Sequence, residues 1–91
     1  MNIPQITGID TALEIYYKHT EIGNKEIVAL LGRHSSATIS RLKKAVKAEM
    51  NKQGVYSYGA NKVNTAIAFD VWHINVCDLE KRREKLKKLN L

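Results

Sequence analysis

Between Asn24 and Met50 the chain reads NKEIVALLGRHSSATISRLKKAVKAEM, two runs of helical periodicity separated by a single glycine. No other stretch restricts the fold as tightly. Ile27, Val28, Leu30 and Leu31 give the first run an apolar side about two helical turns long. Asn24 is placed to cap it, because its side-chain oxygen can accept from a first-turn N–H that has no partner within the helix. Gly32 stands where a chain leaving a helix turns through positive φ. Ser35 or Ser36 can cap the second helix, which is expected over residues 36–52. At about 100° per residue, Ile39, Leu42, Val46 and Met50 form one narrow stripe for a core. Ala37, Ser40, Arg41, Lys44, Ala48 and Asn51 gather on the opposite side, and none of them is acidic. Lys43 falls near the edge of the stripe, its stem expected over hydrocarbon and its ammonium in water.

Two helices bury too little to fold alone, so neighbouring segments must cover them. Residues 1–9, with Pro4 and Gly8, read as an extended lead-in. Thr11 and Glu14 fit a capping box that opens a helix reaching about Thr20. Its Leu13, Tyr16 and Tyr17 can cover the back of the pair, and Glu21–Gly23 breaks it. Beyond the basic helix, residues 53–61 (QGVYSYGAN) read either as a connecting loop or as a short wing whose tip touches nucleic acid. Only Val55 to Tyr58 has strand character. Either way, Tyr56 or Tyr58 can donate to a phosphate, with at least one of the two expected to pack on the domain instead.

Asn61 or Asn64 then caps a fourth helix carrying Val63, Ala66, Ile67, Val71 and Trp72. His73–Asn75 ends it, and Asn75 with Asp78 opens a final helix from about Val76 to Leu89. Leu79, Leu86 and either Val76 or Leu89 make a thin stripe among Lys81, Arg82, Arg83, Lys85, Lys87 and Lys88. So narrow a seam either docks along the domain or pairs with a second copy, which makes these three leucines the candidate homodimer interface. The expected architecture is all-α. Residues 1–60 form a trihelical core with its following loop, and residues 61–91 form a C-terminal helical hairpin in the same compact domain.

The segment LLGRHSSATISRLKK resembles the helix-turn-helix of bacterial and phage regulators, where a pattern like LLG-x-S-x-x-T-[IV]-x-[RK]-L recurs. Ala29, Ile39 and Leu42 match the small, β-branched and apolar positions that lock the two helices together. Anchored on Ile39, Gly32 arrives one residue before the usual turn glycine, so the turn is one residue longer than standard. The resemblance covers about a third of the chain. It implies double-stranded DNA as partner. Ser36, Ala37, Ser40, Arg41 and Lys44 then face bases in the major groove, and Arg33, His34, Lys43, Lys47 and Lys52 hold phosphates.

Charge supports the same partner. Residues 33–62 carry seven bases and one acid, while residues 1–32 sum to −2 and residues 63–91 to +2, so the net +6 is concentrated on the second helix and its flanks. A placed excess of this kind suits a polyanion. The single cysteine, Cys77, allows no internal disulfide, and the N-terminus lacks the pattern of a signal peptide, so a cytoplasmic address is the default expectation. No apolar run approaches a membrane span. His73 and Cys77 lie four apart but across the helix break, and no further ligand completes a metal set; the expected state of Cys77 is a buried thiol. No phosphate-binding glycine loop or nucleophile pair stands out, so neither a cofactor nor an enzyme is expected. The sequence reading is a transcriptional regulator of phage or mobile-element type. Its rivals are a protein-interaction module with a basic helical surface and an accessory factor for recombination or replication.

Overall fold

The computed structural model describes residues 4–89. Five helices and one minute sheet follow in the order α1 (Ile9–Lys18), β1 (Glu21–Ile22), α2 (Asn24–Leu31), α3 (Ser36–Gln53), β2 (Val63–Asn64), α4 (Thr65–Val71) and α5 (Val76–Leu89). The chain is therefore mainly helical, as expected, with a two-stranded antiparallel ladder that pairs Glu21 with Asn64 and Ile22 with Val63. Strands of two residues are too short to leave any periodicity, which is why neither is visible in the sequence.

Local chemistry explains most helix boundaries. Ser35 caps α3, its Oγ accepting from the Thr38 N–H at 3.2 Å. Asn64 caps α4 by accepting from the Ile67 N–H at 2.9 Å, and Asn75 caps α5 by accepting from the Asp78 N–H at 3.0 Å. Two expected caps are displaced. α1 begins at Ile9 after Gly8, so Thr11 lies inside the helix and opens nothing. α2 is preceded by Gly23, whose N–H is held by Glu26 Oε1 at 3.0 Å, and Asn24 is already the first helical residue.

One core gathers residues from both sides of position 60: Ala12, Leu13, Ile15, Ile22, Ile27, Leu30, Leu31, Leu42, Val46, Val63, Phe69 and Trp72 are all buried in it. The packing partners differ from expectation. α3 lies chiefly against α4 and β2, and the Trp72 indole N–H donates to the Leu42 carbonyl at 3.3 Å across that contact. α1 lies against α2 and α5. α4 packs chiefly on the basic helix, and α5 docks along α1, one of the two expectations for its narrow seam. On α1, Tyr17 is exposed and its hydroxyl donates to Glu80 of α5, while Ala12 and Ile15 take the buried positions beside Leu13. The carboxylate beside it, together with desolvation, raises the Tyr17 phenol above its ordinary value. On α4, Ala66 is exposed, and Ala68 and Phe69 are buried with Ile67. No helix among the described residues is long and apolar enough to cross a membrane.

Candidate nucleic-acid interface

The C-terminal end of α2 and the turn after it aim α3. A helix ends with carbonyls that have no partner of their own, and here each finds one. The Val28 carbonyl accepts from the Gly32 N–H at 2.8 Å. The Ala29 carbonyl accepts from the Thr7 hydroxyl at 2.6 Å, and the Leu30 carbonyl from the Thr7 N–H at 2.8 Å. The Leu31 carbonyl meets His34 Nε2 at 3.0 Å. Gly32 itself sits at φ 86°, ψ 177°, a region essentially closed to residues with a Cβ. The turn between the helices runs over residues 32–35. Ile27, Leu30 and Leu31 face inward as their spacing set them to, whereas Ala29, expected to lock the pair, is exposed.

Ser36, Ala37, Ser40, Arg41 and Lys44, the expected base-facing residues, are all exposed on one side of α3, as are Ala48 and Asn51 beyond them. Arg33, Lys47 and Lys52, expected to hold phosphates, are exposed as well. The ion pairs among the described residues are Lys18–Glu14, Arg82–Asp78 and Arg83–Asp10, so none neutralises a cation of this surface. Glu49, the acid on α3, accepts from its helix neighbour Gln53 at 3.0 Å.

Two members of the expected phosphate set are used otherwise. Lys43 is only 9% exposed, and its ammonium donates to Asn24 Oδ1 at 3.1 Å, tying α3 to the start of α2. Burial, then the nearby charge of Lys47, pushes its pKa below the ordinary lysine value. The sequence held a signal for this, because the 100° rule sets Lys43 only about 20° beyond Met50, at the edge of the stripe. His34 spends Nε2 on the Leu31 carbonyl, which requires that nitrogen to carry the proton. A histidine just past a helix end is a usual partner for the last carbonyls.

Residues 55–62 run back beside the C-terminal half of α3. Together they line a groove of about 220 Å³ whose walls include Lys47 and Asn51 on the helix and Tyr56, Ser57, Asn61 and Lys62 on the loop. The loop has no strand pair of its own. A larger hollow lies between the lead-in and the α4–α5 turn, but Arg82 there is paired with Asp78. Cys77 is exposed, not buried as expected, and no group of three metal-ligating side chains occurs among the described residues.

The candidate dimer leucines separate in the structure. Leu79 is buried in the chain's own core, where α5 meets α1, whereas Leu86 and Leu89 are exposed. No family model matches this chain, and comparisons with curated proteins and with solved structures found no match.

Proposed function

We propose that the chain is a sequence-specific binder of double-stranded DNA, a regulator of helix-turn-helix type that lays α3 in the major groove. The observation that carries this reading is the outer face of α3, where small residues at the N-terminal end are followed by cations that form no ion pair among the described residues. Ser36, Ala37 and Ser40 leave room for close approach of the helix to base edges. Arg41 has a planar fork that matches the O6 and N7 acceptors of guanine, and Lys44 stands beside it. Ala37 suits contact with a thymine methyl. Arg33, Lys47 and Lys52 are the phosphate holders, which fix register without reading sequence.

The test compares Arg41→Ala with Lys47→Ala in binding titrations on a selected site and on a scrambled duplex at matched salt. Arg41→Ala is expected to cost about 1–3 kcal/mol on the selected site and to relax preference at one position. Lys47→Ala is expected to weaken both duplexes by similar factors. Equal losses for both variants on both duplexes make Arg41 another phosphate clamp. Absence of any duplex binding by the wild type, with retention of an acidic protein partner, returns the chain to the interaction-module reading.

A further inference from the structure

We infer that the loop 54–62 is a second DNA-contacting element, whose exposed Tyr58 and Tyr56 meet the sugar–phosphate backbone at the edge of the groove that α3 enters. The inference rests on the reading of α3 as a duplex-binding helix and extends it to a part of the chain outside that helix.

The loop is held at every stage of its course. Gly54 ends α3 in the left-handed conformation at φ 73°, and the Val55 N–H returns to the Met50 carbonyl at 2.9 Å. Ser57 Oγ donates to the Lys62 carbonyl at 2.7 Å, closing the base of the loop. The tip is braced from a distance of 37 residues in sequence: the Glu21 carboxylate on β1 accepts the Tyr58 N–H at 2.7 Å with one oxygen and the Gly59 N–H at 2.9 Å with the other. The pairing of β1 with β2 fixes Glu21 against the far end of the same loop. A carboxylate bound by two backbone N–H groups makes strong hydrogen bonds, so the tip is preformed.

This preformed loop presents aromatic surface to solvent. From Val55 to Ala60 burial alternates residue by residue, with Val55, Ser57 and Gly59 turned inward and Tyr56, Tyr58 and Ala60 outward. Tyr58 is 99% exposed and Tyr56 79%. The groove between loop and helix carries Lys47 on one wall and Lys62 on the other, and both lie in the segment that concentrates the net positive charge. Ammonium groups and phenolic hydroxyls are donors suited to phosphate oxygens, and a tyrosine ring can pack on a deoxyribose. Lys47 is shared between this groove and the outer flank of α3, so one strand of backbone passing it comes within reach of both elements.

The experiment measures affinity for a labelled duplex with wild type, Tyr58→Ala, Glu21→Ala, Glu21→Gln and Arg41→Ala, with thermal melts of each. Tyr58→Ala is expected to weaken binding about five- to tenfold, the worth of one lost polar contact, without changing the melt. Glu21→Ala removes a negative charge, which on electrostatics alone strengthens binding to DNA; loosening the tip is expected to weaken it by a factor similar to Tyr58→Ala. Glu21→Gln keeps one acceptor oxygen and is expected to recover part of the loss. If Arg41→Ala weakens binding while Tyr58→Ala and Glu21→Ala leave it unchanged or tighter, the loop proposal is overturned and the reading of α3 stands. If the wild type does not bind duplex at all, both fall together. Because the Tyr58 side chain is exposed and only its backbone N–H is held, its variant keeps the brace and keeps the proposal testable even if Glu21→Ala fails to fold.

Discussion

Lys43 shows how a single side chain can be misassigned by residue type. Its ammonium is turned inward to Asn24 and is partly desolvated, so the folded state holds its proton less tightly than the unfolded chain does. For a base with a depressed pKa, the folded state binds fewer protons in the window between its folded value and the unfolded value near 10.4, so stability rises with pH across that window. Below the window the charged form carries its full desolvation penalty. Lys43→Met keeps the stem and removes the charge. The variant is expected to melt as high as the wild type or higher at neutral pH, with the gap closing as pH rises towards about 10. Comparing the two chains cancels other alkaline titrations, including that of Tyr17. A gap independent of pH contradicts the assignment. Gly32 is the second decisive residue. A Cβ there meets only the Thr7 methyl at an ordinary 3.7 Å, so the obstacle is the backbone angle and not space. Gly32→Ala is expected to destabilise by about 1–3 kcal/mol in chemical denaturation. An unchanged midpoint removes the positive-φ turn from the account.

At the scale of elements, what was legible in the sequence follows from local chemistry. The span of α3, the start of α5 after Asn75 and the break at His73–Asn75 all follow from caps and a 3.6-residue period, which act within a few residues. The choice of partners was not legible. That α3 takes α4, and α1 takes α5, depends on burial between segments far apart in sequence, and amphipathic stripes carry no address. The brace from Glu21 to the loop tip was hidden for the same reason. On the candidate site, the exposed residues of α3 were read from angle alone, which also put Lys43 at the edge of the apolar stripe, while the Asn24 partner of Lys43 and the exposure of Ala29 needed the folded chain to be placed. The leucines of α5 divide in a similar way: Leu79 belongs to the chain's own core, and only Leu86 and Leu89 remain for a second copy. Changing both to Glu is expected to shift stability by no more than about 0.5 kcal/mol each, since neither is buried. The same change is expected to abolish any dimer seen by sedimentation. A dimer that survives moves the interface to another surface.

At the scale of the whole molecule, the account requires an uneven division of charge. Acids of the first third are engaged internally: Asp10 with Arg83, Glu14 with Lys18, Glu21 with the loop and Glu26 with the start of α2. The cations of residues 33–62, Lys43 apart, are left facing outward. The measurement that tests this most directly is the dependence of duplex affinity on salt. With Arg33, Lys47 and Lys52 meeting phosphates, and Lys62 joining them if the loop does too, log affinity is expected to fall with log salt at a slope of about −3 to −4 per protomer. Lys47→Ala is expected to make the slope shallower by about one. A slope near zero, or a slope that Lys47→Ala leaves unchanged, contradicts the claim that this face of α3 meets DNA.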